Sequence, residues 1–166
     1  MDRETKLISP VPGNLLRDPL HLIALGFGAG CLRPGPGTWG SVIGVAVYLL
    51  IRTVSLPVYV LVVAFAFGLG IWLCGRTAAS LGVADHPSIV WDEVVGVLIT
   101  MAALPGGWPW WVAGFLLFRL LDIAKPWPIG WFDRHVHGGL GIMLDDAVAG
   151  AVAWVALQVI AKVAVQ

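Results

Sequence analysis

Charge is scarce in this chain, and that scarcity sets the first boundary. Charged residues make up 12% of the 166 residues and hydrophobic residues 58%, whereas an ordinary soluble domain carries about 25% charged residues. The formal net charge is zero, and the basic residues are scattered without an aromatic-interleaved patch, which argues against a nucleic-acid partner. Cysteine is nearly absent. Cys31 and Cys74 have neither metal-ligand spacing nor the density of a disulfide scaffold, so both are expected to be small buried hydrophobes. His-Glu-x-x-His and Cys-x-x-Cys are missing, and His135 and His137 flank Arg134 at a spacing that does not share a helical face. Zinc is therefore disfavoured, and an interfacial placement is expected for this trio. No Walker lysine follows the Gly-rich turn at 34–41, so it is not a P-loop. Nothing at the N-terminus reads as a cleavable signal; residues 1–19 form a polar, Pro-rich arm ahead of a membrane-embedded domain at 20–166.

What the chain has in place of charge is apolar runs. Five segments read as helices at membrane depth, about 39–56, 57–75, 89–104, 108–124 and 143–163. Spanning a bilayer takes ~20 apolar residues; the second segment qualifies, while the third and fifth qualify only if their charged ends reach the interface. Pro105-Gly106-Gly107 opens the fourth, and the residue before Pro126 closes it. The stretch 20–32 is too brief to span. The expected architecture is all-α: an integral membrane helical bundle of about five helices, with a short re-entrant or interfacial segment near the N-terminus. Tryptophans at 108, 110 and 111 and at 127 and 131 fit interfacial belts on opposite faces. With a cytoplasmic N-terminus, that side receives Arg3, Lys6, Arg17, Arg33, Arg76, Lys125 and Arg134, and the other only Arg52 and Lys162. This is the positive-inside pattern.

The same topology gathers the acids. Asp92 and Glu93 open the third helix, Asp122 closes the fourth, and Asp145 and Asp146 open the fifth, all toward the cytoplasmic side. A first-turn acid is ordinary, since it complements the helix dipole by ~0.3–1 kcal/mol. Adjacent pairs on two helices, and Asp122 at a C-terminus where the dipole is unfavourable, are not explained that way. Five hard oxygen donors suit Mg²⁺. Arg119, Asp122 and Lys125 follow at i, i+3 and i+6, sharing a face if the helix persists, and Lys125 suits a phosphate as a point charge. The turn 34–41 offers Thr38, Ser41 and backbone N–H groups at a helix mouth, a weak anion site.

Four blocks in order carry a family resemblance: Pro34-Gly35-Pro36-Gly37-Thr38-Trp39-Gly40-Ser41, then Trp91-Asp92-Glu93-Val94-Val95-Gly96, then the stretch 118–129 around Arg119, Asp122 and Lys125, then 138–150 around Asp145 and Asp146. Over roughly 21–165 the chain resembles the phosphatidylglycerophosphatase A family. Leu121 stands where an aromatic is usual, and the segment 134–137 has no clear counterpart. The resemblance implies a multi-pass protein of the bacterial inner membrane, a Mg²⁺-dependent phosphoric monoester hydrolase acting on phosphatidylglycerophosphate in the bilayer to yield phosphatidylglycerol. It implies catalytic roles for Asp92, Glu93, Asp122, Lys125, Asp145 and Asp146. Substrate binding falls to Thr38, Ser41, Arg119 and Lys125, and metal binding to Asp92, Glu93, Asp122, Asp145 and Asp146. The main alternative is a transporter or ion relay using interfacial carboxylates, disfavoured because the acids stop at one face and no inverted repeat is evident. Pro-Ser-Gly-His and Asp-Gly-x-x-Ala-Arg, which would mark two other classes of lipid phosphate enzyme, are absent.

Overall fold

A computed structural model describes residues 11–164. Among these residues there is no strand. The elements are α1 (Pro19–Ala24), α2 (Pro36–Ile51), α3 (Leu56–Leu81), α4 (Trp91–Thr100), α5 (Trp108–Ala124), α6 (Ile129–His135) and α7 (Gly138–Ala164), with 3-10 turns at Leu15–Arg17 and Gly26–Cys31. The all-α expectation holds, and the five anticipated helices correspond to α2, α3, α4, α5 and α7. The count of five is too low because the short elements α1 and α6 are helical as well.

The centre is α4. Its apolar residues Val94, Val95, Val97 and Leu98 are at most 2% exposed, because α2, α3, α5 and α7 surround it. Ten residues rise about 15 Å, so α4 is a core helix and cannot cross a bilayer alone. Its early stop, short of the expected residue 104, is local: Met101–Leu104 fold into turns and Ala103 adopts φ 53°. By contrast α3 and α7 are long and apolar enough to cross a membrane, over Leu56–Leu81 and Gly138–Val163. Their outward residues include Leu61, Phe65, Val159, Ile160 and Val163, each more than half exposed. A continuous apolar exterior of this kind marks a surface that meets something other than water.

The bundle packs through glycine rather than through interleaved large side chains. A Cβ on Gly96 of α4 would meet the Phe118 ring at 2.5 Å and the Asp146 carbonyl oxygen at 3.0 Å, and one on Gly150 would meet the Gly96 carbonyl oxygen at 2.5 Å. Gly75 of α3 likewise sits against the Gly139 backbone of α7, with only 3.2 Å of room for a Cβ. Gly75 therefore marks a helix crossing and not a helix end, which is why α3 runs on to Leu81 past the expected stop.

The long helices alternate in direction along the chain. Tyr59, near the start of α3, donates its hydroxyl to the Leu98 carbonyl at the end of α4 (2.7 Å), while Trp91 at the start of α4 donates Nε1–H to the Ala66 carbonyl (3.1 Å). One end of the bundle thus collects the starts of α2, α4 and α7 and the ends of α3 and α5. The segment read as re-entrant or interfacial is α1 with its 3-10 turn, packed at that end. The Val90 amide bonds the Ala24 carbonyl (3.0 Å), and His21 Nδ1 pairs with the Thr77 hydroxyl of α3 (2.9 Å). Within the N-terminal arm Leu15–Arg17 form a 3-10 turn with Leu15 buried; residues 1–10 lie outside the described residues. Cys74 is buried as expected, but Cys31 is exposed at the end of its 3-10 turn.

Candidate active site

The end where the helices converge holds the acids. One carboxylate oxygen from each of Asp92, Glu93 and Asp146 lies within 4.8 Å of the others. Asp92 and Glu93 arrive on the first turn of α4, and Asp146 on α7, held close by the glycine contact between the two helices. Asp145 and Asp146 are buried, and Asp92 and Glu93 are half-buried.

Buried carboxylates normally have partners. Here Asp92 Oδ1, Glu93 Oε2, Asp145 Oδ1 and Asp146 Oδ2 are buried with no hydrogen-bond donor. Leaving charged oxygens unpaired at close range is costly, and a divalent cation is the simplest group that would satisfy those of Asp92, Glu93 and Asp146 together, whereas Asp145 lies outside that group. Every donor is a hard oxygen, so the residues present fit Mg²⁺ in ligand chemistry.

Cations line the rim. Arg119 Nη1 is 2.5 Å from Asp122 Oδ2 and 4.0 Å from Glu93 Oε1, so one turn of α5 presents a guanidinium beside the cluster, fixed by the acid three residues on. Lys125 departs from the shared-face expectation. The helix ends at Ala124, before Pro126, and Lys125 takes a left-handed conformation with φ 41°. Its Nζ instead reaches Asp133 Oδ1 of α6 at 2.5 Å and Asp145 Oδ2 of α7 at 2.6 Å. Burial alone would lower the Lys125 pKa, but the hydrogen bonds to Asp133 and Asp145 outweigh it and hold it above the ordinary lysine value.

The Gly-rich turn reaches the cluster through Gly37. A Cβ there would collide with Glu93 Oε1 and lie 3.1 Å from Arg119 Nη1, so the first turn of α2 rests directly on the acid–guanidinium pair. Thr38 is exposed at this mouth. Ser41 is fully buried and donates its hydroxyl back to the Gly37 carbonyl at 2.9 Å, an intrahelical bond that braces the turn.

The structure therefore brings Asp92, Glu93, Arg119, Asp122 and Asp146 into one group, with Lys125 and Asp145 as an adjoining pair and Thr38 at the entrance. Two participants are absent from the expected site. Asp133 clamps Lys125 from a helix too short to leave a periodic signature, and Gly37 has no side chain to draw notice. Beside the Lys125 clamp opens a polar cleft of about 290 Å³, lined by Asp85, Asp133, Arg134, His137 and Asp145 among others. The three residues grouped as interfacial thus divide. His135 stacks on Trp131, ring centroids 4.7 Å apart, whereas Arg134 and His137 face the cleft.

A carboxylate cluster beside an arginine at one end of a helical bundle has the chemistry to hold a cation and an anion together. The chain belongs to the phosphatidylglycerophosphatase A family, which it matches over residues 22–161, and with it to the phosphoric monoester hydrolases. It is 50% identical over 138 residues to a phosphatidylglycerophosphatase A of Escherichia coli (strain K12), covering 82% of this chain and 80% of that one. It is 46% identical over 143 residues to the protein of the same name from Haemophilus influenzae, covering 85% and 88%. A Bacteroides thetaiotaomicron protein, provisionally named phosphatidylinositol-3-phosphatase, is 38% identical over 147 residues, covering 83% and 91%. No solved structure matches the chain.

Proposed function

We propose that this protein removes the phosphate monoester of phosphatidylglycerophosphate in a Mg²⁺-dependent reaction, releasing phosphatidylglycerol and inorganic phosphate at the cytoplasmic face of a bacterial inner membrane. The observation that carries the reading is the set of unpaired, buried carboxylate oxygens on Asp92, Glu93 and Asp146 beside Arg119. Membership of the family and the names of the two relatives near 50% identity support the substrate. The apolar exteriors of α3 and α7 and the bias of Lys and Arg toward the site end support the membrane placement.

Asp92, Glu93 and Asp146 would hold the metal, with Asp122 and Asp145 next to them. A bound divalent cation supplies charge neutralisation for the phosphate and acidifies water. Arg119, oriented by Asp122, meets the phosphoryl oxygens as negative charge builds on them. Lys125 adds a fixed positive charge at the boundary with the cleft. Gly37 lets the backbone of α2 approach the phosphate closely, and the Thr38 hydroxyl stands at the mouth. Water attacks phosphorus, the bond to the glycerol oxygen breaks, and that oxygen leaves as a hydroxyl. The acyl chains stay against the apolar exterior.

Phosphate release from phosphatidylglycerophosphate by the purified protein in detergent, with EDTA and after Mg²⁺ is restored, tests this directly. Release that EDTA abolishes and Mg²⁺ restores is expected. Undiminished release in EDTA would refute the metal assignment, and none under any condition would favour the ion-relay alternative.

A further inference from the structure

The relatives above carry names with different head groups. A carboxylate cluster that handles only the phosphate cannot distinguish them, so head-group discrimination calls for a second contact region next to it. The cleft beside Lys125 has that position. Asp145 and Asp146 are consecutive on α7, and consecutive helical residues point about 100° apart. Asp146 faces the metal-type cluster while Asp145 lines the cleft.

Two features indicate that the cleft is built to hold a ligand. The Asp145 side chain is only 10% exposed, and its Oδ1 has no hydrogen-bond donor although Oδ2 is bonded to Lys125. Arg134, which also lines the cleft, is exposed and makes no ion pair among the described residues. A cleft lined by a buried carboxylate with one unbonded oxygen and by an unpaired guanidinium matches a ligand that offers a hydroxyl and a negative charge. Resting on the phosphatase reading above, we infer that this cleft is the head-group subsite, and that it takes the phosphodiester-linked glycerol lying between the scissile phosphate and the acyl chains. Arg134, with His137 beside it, faces the diester oxygens; Asp145 Oδ1 accepts the glycerol hydroxyl. Arg134 is a specificity residue that stays bonded through the reaction, so its contribution is to binding in ground and transition state alike.

The experiment measures kcat and KM for phosphatidylglycerophosphate in wild-type, Arg134→Ala and Arg134→Lys proteins, with inhibition by soluble glycerophosphoglycerol and by inorganic phosphate. Arg134→Ala is expected to raise KM about ten- to a hundredfold, the size of a lost charged hydrogen bond, with kcat retained. Inhibition by glycerophosphoglycerol weakens in parallel, inhibition by phosphate does not change, and Arg134→Lys restores much of the loss. An unchanged KM, or a fall in kcat alone, overturns the assignment. So does an equal weakening of phosphate inhibition, which would place Arg134 on the scissile group. Wild-type protein that hydrolyses no phosphatidylglycerophosphate would instead remove the reading on which the subsite rests.

Discussion

The two ends of the bundle solve the same problem in opposite ways. At the end remote from the site, polar side chains are spent on backbone. Tyr59 caps the Leu98 carbonyl at 2.7 Å, and Trp154 and Gln158 both donate to the Ala102 carbonyl, at 2.8 and 3.1 Å. Arg52 lies over the Trp111 ring, 5.1 Å from its centroid. At the site end, four carboxylate oxygens are buried without donors, and the nearest cations, Arg119 and Lys125, are occupied with Asp122, Asp133 and Asp145. Most buried polar groups at the remote end are bonded to backbone, Trp111 Nε1 being an exception, whereas the unpaired carboxylate oxygens all gather at the site end. If the proposed site is right, stability and function are separated along the bundle axis, and substitutions should report which end they touch.

The largest effect is expected at the site end. Asp92→Asn, Glu93→Gln or Asp146→Asn should lower kcat/KM by about 10²–10³, while the unfolding midpoint in detergent holds or rises because like charges at close range are relieved. An unfolding midpoint that falls in step with activity would show that the acids are structural and erase the contrast. Next comes the joint between the ends. Gly96→Ala forces a methyl against Phe118 and the Asp146 backbone, costing about 1–3 kcal/mol by overpacking and displacing Asp146 from Asp92. Stability and activity should fall together, and retained activity would mean the cluster tolerates looser spacing. The smallest effect belongs to the remote end: Tyr59→Phe removes one hydrogen bond, about 1 kcal/mol, lowering the midpoint with specific activity unchanged. A loss of activity there would show that the two ends are coupled.

How far the sequence reaches is visible in particular residues. The bounds of α5 are legible because Gly107 and the residue before Pro126 both act locally. The acids of the site are legible because adjacent carboxylates on apolar helices cost too much to keep without a partner. The continuation of α3 past Gly75 is not, since a helix-crossing glycine and a helix-ending glycine look alike until the partner, Gly139, is known. The Lys125–Asp133 clamp is hidden for a related reason: it joins a left-handed cap to a seven-residue helix, where no periodicity exists to count. The exposure of Cys31 is equally hidden, because apolar neighbours in sequence do not guarantee burial in a short 3-10 turn.

The glycine contacts have a mechanical consequence. Carboxylates gathered this closely push one another apart, and long flexible side chains between the helices would yield to that push. With Gly96 and Gly150 in register, and Gly75 against Gly139, backbone meets backbone. The helices behave as a vice with hard jaws, so the spacing of Asp92, Glu93 and Asp146 is set by backbone contact and not by yielding side chains.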